Sequence, residues 1–123
     1  MMNIPKEHQT VMPYLMLADA KKFIDFVQLI FDATITAKQL TADGKIRHCE
    51  ATIGGCTLMF TDANEDWAVA TANLFVYVAN ADETYDKALE NGASSVMGLS
   101  DQSYGRTCGI EDPCGNTWWI TSL

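Results

Sequence analysis

A histidine and a glutamate two residues apart are the side chains in this sequence best suited to chemistry. His48 and Glu50 lie in the segment IRHCEATI, where residues alternate in polarity as they do in a half-buried β-strand. Alternation predicts that both side chains share one face of that strand. A carboxylate beside an imidazole can handle protons or hold a metal ion. The alternative is a solvated face on which His48 is an ordinary surface residue.

The four cysteines do not form a recognisable metal site. Neither Cys49 with Cys56 nor Cys108 with Cys114 has the short C-x-x-C spacing of a structural zinc site. Cys49 and Cys108 instead occupy corresponding positions in two similar segments, as two small core residues would. No serine has an evident partner base, so nucleophilic catalysis is not indicated.

The composition is that of a globular domain with an acidic surface. Hydrophobic residues make up 48% of the chain, charged residues 20%, and the formal net charge is −8. An acidic protein is poorly suited to nucleic acids or anionic membranes. The charge would tolerate a cationic ligand, but it is also a common route to solubility. The first ten residues contain no apolar signal-peptide core, so we expect a cytoplasmic protein with free thiols.

The chain repeats its organisation after about 60 residues, which indicates a duplicated module within a single domain over 1–123. The first module covers 11–60, the second covers 73–121, and the acidic segment 61–72 links them. Each module reads as a strand, a helix and three further strands. The predicted class is therefore α+β, built from two βαβββ modules.

Each module has a predicted helix that begins at an acidic residue. An apolar run over 11–17 predicts a strand covered on both faces. Asp19 is then a candidate N-cap for an amphipathic helix over 19–31. Asp82 is the candidate N-cap of the second helix, over 82–91.

Two turns and one loop complete the predicted layout. Asp43-Gly44 predicts a type I′ hairpin, in which both central residues have positive φ. Gly92 suits the left-handed end of the second helix. A short strand over 95–97 is then predicted to lead into a polar loop over 99–105.

Three motifs in this order resemble one known superfamily. They are PYLML-AD followed by IDF, then DGKIRHCE-x-x-IGG-x-x-LMF, and finally DP-x-GN-x-W. Together they resemble the vicinal oxygen chelate superfamily, and most closely the PhnB-like branch of the glyoxalase and bleomycin-resistance proteins. The resemblance implies a mixed sheet of eight strands curled around a cavity, with the helices outside and a homodimer as the assembly. Because its members include metal-dependent enzymes and metal-free binding proteins, the fold does not choose the chemistry.

The resemblance also implies where a metal would bind, and the residues found there are poor ligands. Metalloenzymes of this superfamily take one ligand from each of four strands, which here correspond to Met12, Glu50, Asn73 and Trp119. Only Glu50 is a good ligand for a hard or borderline divalent ion. A three-ligand site would need His48 and further help from a cysteine, Asp101 or a dimer partner, since His8 lies in the N-terminal tail. We therefore predict neither a metal nor another cofactor.

Aromatic residues dominate the rest of the predicted site. Strand parity and the resemblance place a set of side chains on the inner face of the sheet with His48 and Glu50: Tyr14, Met16, Phe75, Tyr77 and Trp119. Such a face would bind a flat or apolar ligand, although aromatic residues can equally fill a core. Tyr104 and Arg106 would border the cavity, where Arg106 either grips an anionic group or forms a salt bridge at the rim.

Two functions remain open on these grounds. The first is binding of an aromatic, apolar or cationic small molecule without the metal quartet. The second is an enzyme that uses Glu50 as base or residual metal ligand, with His48 beside it, on a small oxygen-bearing substrate. We expect Trp119, His48 and Glu50 to face one cavity in either case.

Overall fold

The computed structural model describes all of residues 1–123, in two compact units, Met1–Ala70 (unit 1) and Thr71–Leu123 (unit 2). Unit 1 contains the strands and helix β1 (Tyr14–Leu17), α1 (Ala20–Phe31), β2 (Thr34–Leu40), β3 (Ile46–Ile53) and β4 (Cys56–Asp62). Unit 2 contains β5 (Asn73–Tyr77), α2 (Ala81–Glu90), β6 (Ser94–Gln102), β7 (Gly105–Glu111) and β8 (Thr117–Ser122). The α+β class and the two βαβββ modules are confirmed.

Each unit has its own mixed four-stranded sheet with the same topology. The strand order is β1-β4-β3-β2 in unit 1 and β5-β8-β7-β6 in unit 2. The first strand of each unit pairs in parallel with the last, and all other pairs are antiparallel. Neither helix is both long enough and apolar enough to cross a bilayer.

One face of the unit 1 sheet is covered by α1. Phe23 of the helix meets Phe60 of β4, with ring centroids 4.8 Å apart. Leu15, Cys49 and Phe60 are almost completely buried on this face. The alternate residues of β1 and β3 therefore point to the opposite face, which we call the helix-free face of unit 1.

The core of unit 2 is organised in the same way. Cys108 and Ile120 are paired across β7 and β8 and fully buried, as Cys49 and Phe60 are in unit 1. The prediction that the two cysteines are small core residues is confirmed. Burial raises the pKa of the Cys108 thiol to about 11, so it remains protonated at neutral pH.

The motif DP-x-GN-x-W forms a buried clasp before β8. Asp112 accepts hydrogen bonds from the backbone N–H groups of Cys114 and Asn116, at 2.8 and 3.0 Å. Its second oxygen accepts from the Asn116 amide at 3.0 Å and the Trp118 indole N–H at 2.8 Å. A single carboxylate thus orders the whole turn, because it satisfies four donors at once.

The second helix begins earlier than predicted. Asn80, not Asp82, is the N-cap, and its side-chain oxygen accepts the Glu83 N–H at 3.1 Å. The helix therefore spans Ala81–Glu90 rather than 82–91. The prediction for the first helix holds, since Asp19 accepts the Lys22 N–H at 3.2 Å. Gly92 has the predicted positive φ, of 97°.

Two strand predictions need correction. The strand predicted over 11–17 begins only at Tyr14, and it is not covered on both faces, because Tyr14 is 44% exposed. Pro13 precedes it and has no N–H to donate to the sheet. The strand predicted over 95–97 instead runs from Ser94 to Gln102 and absorbs most of the predicted loop. Two register shifts let this polar edge strand keep pairing with β7.

The hairpin at Asp43-Gly44 is not a type I′ turn. Gly44 has φ of 84°, but Asp43 does not have positive φ. The turn is instead longer, closed by hydrogen bonds from Thr41 N–H to the Lys45 carbonyl and from Gly44 N–H to the Thr41 carbonyl. Gly44 alone therefore needs the left-handed conformation.

Candidate functional site

A chain of hydrogen-bonded titratable side chains lies on the helix-free face of unit 1. The Tyr14 hydroxyl is 3.1 Å from Nδ1 of His48. Nε2 of His48 is 2.7 Å from one oxygen of Glu50, and Nε2 of His8 is 2.7 Å from the other. We call these four residues the relay: His8, Glu50, His48 and Tyr14.

Strand pairing explains how three members of the relay meet. His48 and Glu50 alternate with buried Cys49 on β3, so they share the helix-free face, as predicted. Tyr14 and Glu50 are both paired with Met59 of β4, so Tyr14, Met59 and Glu50 form one row across the sheet. Tyr14 can therefore reach back to His48 with its hydroxyl.

His8 is the member of the relay that sequence reasoning missed. The Gln9 side chain donates to the Thr57 carbonyl at 2.8 Å and accepts the Thr57 N–H at 3.1 Å. The Thr57 hydroxyl also donates to the Glu7 carbonyl. These contacts fix the N-terminal segment beside β4 and bring His8 to Glu50. Its only signal in the sequence was its residue type, because residues 7–9 have no strand or helix periodicity.

The relay keeps Glu50 ionised. Burial raises the pKa of the Glu50 carboxyl, but hydrogen bonds from His48 and His8 and the charges of both rings outweigh burial and lower it. The Glu50 side chain is only 12% exposed. An ionised carboxylate only accepts hydrogen bonds, so both histidines must present Nε2–H to it. Nδ1 of His48 is then left to face the Tyr14 hydroxyl.

The helix-free face of unit 2 carries aromatic rings where unit 1 carries the relay. Phe75 packs against Tyr77 with ring centroids 5.2 Å apart and against Tyr104 at 6.3 Å. The three residues are 52%, 64% and 50% exposed respectively. Trp119 is paired with Phe75 across β8 and β5 and is half-buried. We call Phe75, Tyr77, Tyr104 and Trp119 the aromatic patch.

A glycine lets the Trp119 ring lie against the sheet. Gly109 of β7 is paired with Trp119, and a Cβ added to Gly109 would stand 2.6 Å from the indole ring. The indole N–H donates to the side-chain oxygen of Asn73 at 3.2 Å. Trp119 is therefore fixed by a ring contact on one side and a hydrogen bond at its edge.

Arg106 forms the salt bridge that was one of its two predicted roles. Its Nε and Nη2 atoms donate to the two carboxylate oxygens of Asp82, at 2.9 and 3.4 Å. A weaker contact joins it to Asp101 at 3.4 Å. Hydrogen bonding to Arg106 lowers the pKa of the Asp82 carboxyl. The guanidinium is thus already paired with carboxylates.

The residues at the implied metal positions do not fit a divalent ion. The Met12 sulfur accepts the Gln9 N–H at 3.4 Å, and the Asn73 oxygen accepts the Trp119 indole N–H. Both oxygens of Glu50 accept from imidazoles. The structure has no group of three or more His, Cys, Asp or Glu side chains arranged to hold a metal ion. Absence of metal from the protein stays a prediction.

The predicted site residues thus fall into two groups. Tyr14, His48 and Glu50 come together in unit 1, and Met16 lines a cavity there beside Tyr14. The four residues of the aromatic patch come together in unit 2. The single cavity expected to join His48 and Glu50 with Trp119 stays a prediction.

Comparison with known sequences identifies the family. The profile of the Glyoxalase/Bleomycin resistance protein/Dioxygenase superfamily matches residues 8–120. The chain is also 30% identical over 118 residues to the uncharacterized protein Mb0911c of Mycobacterium bovis, with 86% of this chain and 78% of that protein aligned.

Solved structures share the fold at lower identity. A PhnB protein from Bacillus cereus, described as a putative 3-demethylubiquinone-9 3-methyltransferase, superposes with a TM-score of 0.73 at 18% identity, covering 94% of this chain and 100% of that one. TnmS3 from Streptomyces sp. CB03234, described as an antibiotic binding protein, gives a TM-score of 0.71 at 19% identity, covering 94% and 98%. The chain belongs to the Glyoxalase/Bleomycin resistance protein/Dioxygenase superfamily.

Proposed function

We propose that the protein binds a small molecule with a flat aromatic or apolar body on the aromatic patch of unit 2. The observation that carries this proposal is the exposure of the patch: Phe75, Tyr77 and Tyr104 are each at least half exposed. Aromatic side chains usually bury most of their area, and clustered exposed rings commonly mark binding sites. The description of TnmS3 as an antibiotic binding protein supports the same class of function.

The geometry of the patch favours stacking. Phe75 and Tyr77 meet at an interplanar angle of 70°, so their rings present a face and an edge side by side. A flat ligand can stack on one ring and contact the edge of the other. The Trp119 indole cannot retreat into the sheet, because Gly109 already lies directly beneath it.

A cationic group on the ligand has weaker support than the aromatic body. Glu50 is the largely buried carboxylate on which that part of the prediction rests, and both its oxygens already accept hydrogen bonds from imidazoles. The proposal therefore rests on the rings rather than on charge.

The test is a nuclear magnetic resonance titration with naphthalene-2-methanol, a neutral flat probe. We expect the Trp119 indole N–H resonance to shift on addition of the probe. Phe75→Ala should weaken binding by about 3- to 10-fold, the range expected for one aromatic contact. Leu29→Ala, which truncates an exposed apolar residue on α1, is the matched control and should leave the affinity unchanged. Equal affinities for Phe75→Ala and the wild type would refute the proposal.

The relay supports a second candidate function, proton transfer on a small oxygen-bearing substrate. Four titratable groups are linked by hydrogen bonds of 2.7 to 3.1 Å, and Glu50 is held ionised as a general base requires. The test is incubation of the protein with small α-hydroxy ketones in D2O, with deuterium incorporation followed by proton resonance. Incorporation that is lost in Glu50→Gln would establish this activity, and no incorporation above buffer would exclude it for those substrates.

A further inference from the structure

Unit 1 contains a cavity of about 590 Å³ that neither the relay nor the aromatic patch explains. The volume lies within the range of small-molecule sites. The cavity opens beside Tyr14 and Met16 on the helix-free face and extends to Trp67. Tyr14 therefore contributes to two features, with its hydroxyl bonded to His48 and its side chain lining the cavity.

Trp67 presents an exposed ring from a backbone that hydrogen bonds hold in place. It is 60% exposed, although it belongs to a connecting segment where a polar residue would be the ordinary choice. The Asn64 side chain accepts the Trp67 N–H at 2.9 Å, and the Asn64 N–H donates to the Trp67 carbonyl at 2.9 Å. Two further backbone hydrogen bonds join Met16 and Ala70, so the segment that follows Trp67 is bonded to β1. The cavity thus has aromatic walls at Tyr14 and Trp67.

Two of the side chains that line the cavity are cations without a salt bridge. Lys45 and Arg47 line it, both are exposed, and neither forms a salt bridge within 4.0 Å. The charge of Lys45 is partly offset by nearby Asp43, so Arg47 is the cation better able to bind an anionic group. In a protein with a formal net charge of −8, two cations two residues apart without a salt bridge are unexpected.

The carboxylate that lines the cavity does not cancel this charge. Asp62 accepts the Ala20 N–H at 2.8 Å with one oxygen and the Ile46 N–H at 2.7 Å with the other. Ala20 is the first residue of α1, so Asp62 also lies at the positive end of the helix dipole. The fold therefore stabilises the negative charge of Asp62 in place, whereas the positive charge of Arg47 has no ion-pair partner.

From this combination we infer that the cavity of unit 1 is itself a binding site, for an aromatic carboxylate. Tyr14 and Trp67 would contact the ring of the ligand, and Arg47 would hold its carboxylate by paired hydrogen bonds, the geometry in which guanidinium and carboxylate match best. Lys45 adds charge at the rim. This inference does not depend on the function proposed for unit 2.

The test compares 2-naphthoate with its neutral analogue 2-naphthamide by isothermal titration calorimetry. The two probes have the same ring, so their difference isolates the carboxylate. We expect naphthoate to bind at least about tenfold more tightly, which corresponds to one charge-assisted contact. Higher salt should weaken naphthoate and leave naphthamide unchanged. Equal affinities, or no binding of naphthoate at millimolar concentration, would overturn the inference.

Variants then locate the bound probe. Arg47→Gln should lower the affinity for naphthoate by about tenfold and remove its advantage over naphthamide. Trp67→Leu should weaken both probes, because the aromatic wall is lost. Lys87→Gln makes the same change of charge on an exposed position of α2 and is the matched control, expected to have no effect. Naphthoate binding that survives both Arg47→Gln and Trp67→Leu would place the probe elsewhere and refute the site.

Discussion

The two modules place opposite chemistries at corresponding positions of the same sheet. In unit 1, one row of paired residues across β1, β4 and β3 consists of Tyr14, Met59 and Glu50. In unit 2, the corresponding row across β5, β8 and β7 consists of Phe75, Trp119 and Gly109. The first row supports an ionised carboxylate, whereas the second supports a tryptophan ring on a glycine.

The fold determines which face of the sheet each side chain points to, but not what that side chain does. The helix-facing partners of these rows are similar, since Cys49 pairs with Phe60 and Cys108 with Ile120, and all four are buried. The core therefore constrains both modules alike. The helix-free faces have no such constraint, so a titratable relay arises in one and an aromatic patch in the other.

The turns before the last strand of each module differ as well, and they give the largest expected effect. Unit 1 uses Gly54-Gly55, while unit 2 uses the clasp around buried Asp112. Asp112→Ala should lower the free energy of unfolding by about 3–5 kcal/mol, because it leaves several buried hydrogen-bond donors without an acceptor. Urea denaturation measures the loss. A change below that of an exposed control such as Asp86→Ala would show that the clasp is not what holds the turn.

The next effect tests the row that contains Trp119. Gly109→Ala should cost about 1–3 kcal/mol, because the new methyl group would overlap the indole ring. Gly98→Ala is the matched control in the same unit, since Gly98 has open space around it and no positive φ. Denaturation of both variants measures the difference.

A double variant decides whether the ring contact causes the loss. In a Trp119→Leu background the methyl group at Gly109 meets a smaller side chain, so most of the cost should disappear. If Gly109→Ala and Gly98→Ala are equally stable, the position of the Trp119 ring does not depend on Gly109, and the two rows do not differ in this respect.

The relay should make unit 1 sensitive to acid. The pKa of Glu50 is lowered in the folded protein, so its stabilising contribution is complete above the ordinary glutamate range and is lost as pH falls through the lowered pKa. Glu50→Gln should reduce stability by about 1–2 kcal/mol at neutral pH and flatten this acid-side dependence. Urea midpoints between pH 3 and 7 measure both effects. An unchanged pH dependence of the urea midpoint in Glu50→Gln would show that Glu50 does not cause the loss of stability in acid.

Local patterns in the sequence predicted much of the fold and about half of the contrast between the helix-free faces of the two units. Alternation in IRHCEATI correctly placed His48 and Glu50 on one face, and the apolar stripe with Asp19 correctly gave the first helix. The second N-cap was misassigned because Asn80 and Asp82 are both good capping residues, and only the observed hydrogen bond distinguishes them.

What the sequence did not predict depends on contacts between distant residues. His8 reaches Glu50 because Gln9 pairs with the backbone of Thr57, far along the chain. The length of β6 depends on bulges that only its pairing with β7 defines. Neither leaves a periodic pattern, so single-sequence reasoning assigned one to a tail and the other to a loop.

The smallest expected effect is that of removing divalent metal, which should change nothing in either module. Thioether, amide and indole groups occupy three of the four implied ligand positions, and the fourth, Glu50, is already bonded to His8 and His48. Elemental analysis of the natively purified protein should therefore find far less than one ion per chain, and dialysis against EDTA should leave the unfolding midpoint unchanged. About one zinc, nickel, manganese or iron per chain would contradict this. If that ion were lost in His8→Gln, the relay would be a metal site instead, and the contrast between the modules would become one of metal against ring.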